Sequence, residues 1–289
     1  MDVTNIFTVT PMNQKIELTP GETYVGSITV SNPATAAQDF AFTVGVMPYG
    51  VSGDNYDADL ITESVYTQIV NWIVLKETKG TLKPNETKNI DFEINVPVGA
   101  GAGGQYAALV VSFAGKNTSN EGVAVNNRFE IASLIYATVN GDIVRKGSME
   151  GQKITSFVAE PPIKTSAVLK NEGNVYETAR VKVEVRNFFS SDLINLTASD
   201  GSNIEEIIMP ETTHEVVRDI TGIPSLGIYE VSQTVSYLDE TSTIRQVVVV
   251  CPIWFMILIF ITISTTVAFI VWIVIKSRKK KFNKKCLSF

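Results

Sequence analysis

The sequence predicts an all-β protein: two tandem immunoglobulin-like β-sandwich domains followed by a single transmembrane α-helix. Three observations carry this. Short runs of alternating apolar and polar residues recur roughly every 8 to 15 residues, with no convincing amphipathic helix between them. The two halves of the chain repeat the same turn devices in the same order. One stretch of 29 residues near the C-terminus, Val247 to Ile275, carries no charge.

The strands come first. In IELTPGETYVGSITVSNP, residues 16 to 33, Pro20-Gly21 supplies a turn, an alternating run follows, and Asn32-Pro33 breaks it. DFAFTVGV, VNWIVL, KNIDFEINV, QYAALVVSF and FEIASLIYATV read the same way in the first half, and TSAVLK, ARVKVEVRNF, HEVVRDIT and YEVSQTVSYL in the second. Many short strands separated by Pro, Gly and Asn turns indicate sandwiches.

Three devices repeat. An Asn-centred turn (Asn32, Asn171) lies between two strands. A Pro-containing turn (Pro84, Pro210) precedes an alternating strand, and a Gly-x-Tyr pair (Tyr106, Tyr229) opens another. A tyrosine near the start of strand F of such a sandwich bonds its hydroxyl back to the backbone, so Tyr106 and Tyr229 are expected to be tyrosine corners. Trp72 is expected to fill the first core. Asn32 to Pro84 spans 52 positions and Asn171 to Pro210 spans 39, so the first domain holds 13 extra residues, placed within YGVSGDNYDADLITESVYTQIVN. Binding function is expected in such an insertion. The expected division is 1–141 for the first sandwich, 142–246 for the second, 247–275 for the helix and 276–289 for a basic tail.

About 20 apolar residues cross a bilayer core, and Pro252 suits the first turn of a helix. Trp254 and Trp272 lie near the two ends, as an aromatic belt requires. Basic residues flank the span: Arg245 before it, and Lys276, Arg278, Lys279, Lys280 and Lys281 after it. The fourteen-residue tail has seven Lys or Arg and no acid, leaving 17 of the 24 basic residues against all 30 acidic ones elsewhere. By the positive-inside rule the tail is expected in the cytoplasm and the acidic, β-rich bulk outside, as in a single-pass plasma-membrane protein. MDVTNIFTVTP has no signal-peptide pattern, and an export signal is expected to have been removed. Both cysteines, Cys251 and Cys286, fall in the span and tail. An exported β-protein without disulfides points to a bacterial surface, where the sequons at Asn85, Asn117 and Asn195 are expected to be unused.

The inventory argues against chemistry. There is one histidine, His214, and no GxSxG, HExxH or CxxC pattern, so no enzyme, cofactor or zinc site is expected. GAGAGG (99 to 104) lacks the Lys-Ser/Thr of a phosphate loop and is expected to be a flexible loop. Asp54, Asp57, Asp59 and Glu63 are weak calcium candidates, because their spacing does not match a calcium loop and a solvated acidic loop explains them. The acidic balance disfavours nucleic acid. A carbohydrate-active enzyme would need paired carboxylates across a groove, and nothing singles out a pair.

FTVTPMNQKIELTPGETYVGSITVSNP, the Pro-containing turn, GGQYAAL and NEGNVYETARVKVEV, with the helix and lysine-rich tail behind them, give a layout that resembles the WxL-interacting proteins of Gram-positive surfaces. Where that family has a YFDL-like segment this chain has KIEL. The resemblance implies a first domain associated with peptidoglycan and a second with partner or host proteins. There is a looser likeness to periplasmic pilus chaperones, which are also tandem immunoglobulin-like domains. The expectation is thus a non-enzymatic surface protein that binds cell-wall polymer or a partner surface protein. The second expectation is an envelope assembly factor or chaperone that acts on exported subunits by strand addition.

Overall fold

The computed structural model describes residues 7–36, 39–53, 56–115, 127–188, 193–196 and 204–286. Two sandwiches and one C-terminal helix account for them. The first sandwich contains β1 Thr8–Thr10, β2 Asn13–Leu18, β3 Thr23–Ser31, β4 Phe40–Pro48, β5 Gly50–Ser52 and β6 Asp57–Asp59. A 3-10 turn, Gln68–Asn71, leads into β7 Ile73–Leu75, β8 Lys79–Leu82, β9 Thr87–Asn95, β10 Gly103–Gly115 and β11 Asn127–Val139. The second contains β12 Gly147–Ile154, β13 Phe157–Val158, β14 Ile163–Asn171, β15 Glu177–Asn187 and β16 Leu193–Leu196. Its chain continues through β17 Ile204–Ile208, β18 Thr213–Ile220, β19 Gly227–Tyr237 and β20 Glu240–Val250, and α1 Ile253–Cys286 follows.

By compactness the chain divides into Met1–Glu150 with Val168–Ala179 and Ile207–Glu215, and a second unit of Gly151–Ala167, Arg180–Glu206 and Val216–Phe289. The expected boundary at 141 falls in the bend after β11. In the first unit, the sheet β1-β3-β9-β7 faces the sheet β2-β11-β10-β4-β8. Alternation supplies the core between them: Ile28 and Val30 of β3, Ile90, Phe92 and Ile94 of β9, and Leu109, Val111 and Phe113 of β10 are buried. Trp72 caps the 3-10 turn and packs half-buried at the rim of that core. In the second unit Val181, Val183 and Val185 of β15 face inward with Val231, Val235, Val248 and Val250, and Gln233 donates to Thr165 at 3.1 Å in the interior.

The helix begins later than the sequence suggested. Val247 to Val250 belong to β20, where they pair with Gly227 to Glu230 of β19. Val248 and Val250 are buried while Val247 and Val249 are exposed, a two-residue period that a helix would not give. Pro252 then opens α1, its carbonyl accepting from Phe255 N and Met256 N. Among the described residues, Ile253–Lys276 is long and apolar enough to cross a membrane, 24 residues at mean hydropathy 2.6. The helix extends past the expected end at 275 to Cys286, so most of the basic tail is helical, including Arg278 to Lys281. Lys276 Nζ sits 4.5 Å above the Trp272 ring.

Candidate binding site

β11 is paired on both sides over only part of its length among the described residues. It is 13 residues long, paired throughout with β10, and paired on its other side with β2 only at Leu134 to Val139. The reason lies in the path of the N-terminal segment. β1 pairs with β3 in the opposite sheet, and the chain crosses to the β11 side only after Thr10–Pro11. Ser133 Oγ donates to Pro11 O at 2.6 Å, and Leu134 N donates to Met12 O at 2.7 Å, which pins the start of β2 there. Residues 127 to 133 therefore have β10 as their only hydrogen-bonded strand partner among the described residues, while β1 packs close to β11 without pairing with it.

That stretch carries apolar side chains on the face shared with the core. Phe129 lies opposite Phe113 and Ile131 opposite Val111. Phe113 is buried and stacks on Phe7 at 4.1 Å, whereas Phe129 is 52% exposed beside it. The core thus continues outward along this edge to a half-exposed ring. Ser112 donates to Glu130 Oε1 at 3.0 Å on the other face.

A second feature of the first unit is a cluster of tyrosines. Tyr49, Tyr106 and Tyr136 are buried, and Tyr56, Tyr66 and Tyr176 pack against them. Ring centroids of Tyr106 lie 6.0 Å from Tyr136 and 6.3 Å from Tyr176, both edge-on, the arrangement aromatic quadrupoles favour. Tyr136 Oη donates to Tyr49 Oη at 3.1 Å. Burial holds the Tyr106 and Tyr136 hydroxyls far above the usual phenol range, and it raises Tyr66 too, with the Glu211 carboxylate adding to it. None of these is an acid or base near neutral pH. A cavity of about 120 Å³ opens among Tyr49, Tyr66, Tyr106, Ser64, Met209 and Pro210.

The expected site residues are distributed as follows. Tyr229 donates from its hydroxyl to Pro224 O, five residues upstream, at 3.1 Å. Tyr106 does otherwise. Its hydroxyl is buried in the tyrosine cluster and makes no hydrogen bond of ordinary geometry among the described residues, so it is no corner. The Tyr176 backbone lies close to it and favours its ionised form, but burial outweighs that. A Cβ added to Gly104 would sit 2.0 Å from Tyr106 Oη, and one added to Gly227 would sit 2.8 Å from Tyr229 Oη. The Gly-x-Tyr pairs therefore exist because each ring folds back across its glycine.

Of the calcium candidates, Asp54 lies outside the described residues. Asp57 and Asp59 are in β6, and the Asp59 carboxylate is occupied in a turn, accepting from Ile61 N at 2.8 Å and Thr62 N at 3.0 Å. Those bonds, with Thr62's side chain first among them, hold its pKa below the usual range. Glu63 is exposed, and no group of three potential ligands gathers among the described residues. His214 stacks on Tyr56 at 3.9 Å. Arg245 is exposed on β20. Sequence reasoning missed the tyrosine cluster, although Tyr49, Tyr56 and Tyr66 all fall within residues 49–71, the stretch in which it places the 13-residue excess.

No known protein family matches the sequence, and no curated protein matches it. Solved structures with a similar chain path include the class 5 fimbriae chaperone CfaA, 12% identical, over 84% of this chain and 99% of that one, TM-score 0.40. Others are the E. coli chaperone DraB, 9% identical, over 83% and 97%, TM-score 0.39, and a chain of the CsuC–CsuE chaperone–tip adhesion subunit complex of Acinetobacter baumannii, 13% identical, over 83% and 98%, TM-score 0.39. The WxL-interacting resemblance has no family match behind it.

Proposed function

We propose that the chain is a non-enzymatic, membrane-anchored cell-surface protein whose first sandwich receives an extended segment of another exported protein as an added strand along β11. The observation that supports it is the seven-residue stretch 127 to 133, hydrogen-bonded as a strand to β10 alone among the described residues, with Phe129 half-exposed on its core-facing side. A strand edge offers backbone donors and acceptors in a fixed register, and alternate side-chain sites give selectivity. The partner segment is extended, with an apolar residue at every second position to complete the row begun by Phe113 and Phe129. The anchor is α1, with the sandwiches outside and the lysine cluster inside.

A photo-crosslinking residue at position 129 of the full chain in cells tests this. Cross-links to one extended, alternating segment of an exported protein are expected, and a matched probe at the exposed Val74 of β7 should give none. Equal yields at the two positions would sink the reading.

A second reading, attachment to wall polymer, is favoured by the cavity among the tyrosines. Aromatic faces suit the apolar face of a neutral sugar ring, and Tyr66, which lines the cavity and is only partly buried, is a ring a sugar can reach. Sedimentation with insoluble peptidoglycan that is lost in Tyr66→Ala supports it; sedimentation unchanged by that substitution removes it.

A further inference from the structure

One face of the second unit changes polarity in order along the β19–β20 ladder. At the end far from α1, Ser236 pairs with Thr241 and Thr234 with Thr243, and their hydroxyls bond at 3.0 and 2.9 Å. Next comes a charged belt: Arg245 lies opposite Ser232, and these two line a cleft of about 160 Å³ with Glu184, Arg186 and Glu230. Val247, opposite Glu230, and Val249, opposite Ile228, follow on the same face. Phe157 of β13 pairs beside Val249. Leu226 precedes Gly227, which pairs with Val250, and Phe188 N donates to Ile228 O, so both stand at that end as well. Phe157, Phe188, Leu226, Val247 and Val249 are between 37% and 61% exposed. Helix α1 starts three residues beyond Val250, a distance of about 10 Å at the rise of an extended chain.

We propose that this end of the β19–β20 face rests on the surface of the phospholipid bilayer that α1 crosses, with Phe157, Val247 and Val249 at the headgroup level just outside Trp254 and the Arg186–Arg245 belt at the outer edge of the headgroups. Two things select lipid as the occupant. The apolar end is continuous with the spanning helix, whose exposed Trp254 in the first turn marks the interfacial level. The order hydroxyl, charge, apolar, helix is the order of polarity met on entering a membrane. Because the belt holds two arginines and two glutamates, it matches headgroups that carry both a phosphate and an amine, and docking does not require net anionic lipid. Docking fixes the second unit at the membrane.

The inference rests on the spanning reading of α1, and the test separates the two. The full chain carries Cys251→Ser and Cys286→Ser, with single fluorophores attached through Val249→Cys, Phe157→Cys, Thr241→Cys or Ile263→Cys, in phosphatidylcholine nanodiscs. Headgroup-level nitroxide lipid is expected to quench the label at 249 and 157 and to leave 241 bright, while acyl-chain nitroxide quenches 263. Quenching at 263 with 249 and 157 as bright as 241 overturns the docking alone. A bright 263 overturns spanning and docking together. Energy transfer between 249 labels on two copies, with no lipid quenching there, gives the face to a second copy and also overturns it.

Discussion

Asn32 and Asn171 make the same connection, each in its own sandwich. Asn32 Nδ2 donates to Leu82 O at 3.1 Å, and Asn171 Nδ2 donates to Ile208 O at 2.9 Å, each acceptor lying two residues before the proline of the following turn, Pro84 or Pro210. Their backbone N–H groups repeat the match, donating to Glu86 O and Thr212 O, two residues after each proline. Between lie Asn85 and Glu211, both at positive φ, 63° and 57°. The repeat seen in the sequence is thus a repeated hydrogen-bonded lock, in which a buried amide ties one strand to a left-handed turn.

The lock at Asn171 is the more heavily used. Its Nδ2 also donates to Val175 O at 2.8 Å, and its Oδ1 accepts from Gly173 N at 2.8 Å. Asn171→Ala leaves two carbonyls and one N–H of the interior without partners, at about 2–4 kcal/mol by the cost of buried unsatisfied groups. Asn171→Asp should be no better, because a carboxylate cannot donate to the two carbonyls. Denaturant unfolding of the two variants is the measurement, and an Ala variant within about 0.5 kcal/mol of the parent would contradict it.

The two tyrosines of the Gly-x-Tyr pairs should answer oppositely to the same substitution. Tyr229→Phe removes a hydrogen bond to Pro224 O and should cost about 1 kcal/mol. Tyr106→Phe removes a buried hydroxyl that makes no ordinary hydrogen bond, so stability should stay or rise. Thermal unfolding of the pair side by side decides it; equal losses would give Tyr106 a partner.

Gly104 and Gly227 offer a graded version. A Cβ at Gly104 meets the Tyr106 oxygen at 2.0 Å, where the ring is enclosed, while at Gly227 it meets the Tyr229 ring and oxygen at 2.8 to 2.9 Å. Gly104→Ala is expected to cost more than Gly227→Ala, with the former at about 2–3 kcal/mol as an overpacked core position. Reversal of that order would mean the Tyr106 ring swings out readily.

What the sequence disclosed is what local chemistry dictates. Alternation marked the strands, and Gly-x-Tyr and the proline turns are short patterns whose cause lies within three residues. Asn32 and Asn171 were visible as repeated positions but were read as turn centres, because their acceptors lie 50 and 37 residues away. The start of α1 was set six residues early because Val247 to Val250 satisfy hydropathy for a helix and alternation for a strand alike. Only the partners on β19 decide between them. The β11 edge was beyond reach too, since it depends on where β1 crosses between sheets.

Glu177 gives the pH prediction. It opens β15, is buried, and accepts from Arg145 Nη1 at 2.9 Å, with the Arg145 side chain mostly exposed. Burial raises its pKa more than the Arg145 charge and hydrogen bond lower it, so the carboxyl titrates above its unfolded value. A folded pKa above the unfolded one means that protonation favours the folded state. That contribution is complete below the unfolded carboxyl value, about 4.3, and fades as pH climbs through the folded one. At neutral pH the ionised side chain is therefore a net burden, and Glu177→Gln, which keeps an acceptor for Arg145, should melt at or above the parent's temperature at pH 7. The difference should close toward pH 4, where both chains are neutral at this position. A variant that melts lower at pH 7 and converges with the parent in acid would show that attraction to the half-solvated arginine exceeds the cost of burial, against the small worth usual for such pairs.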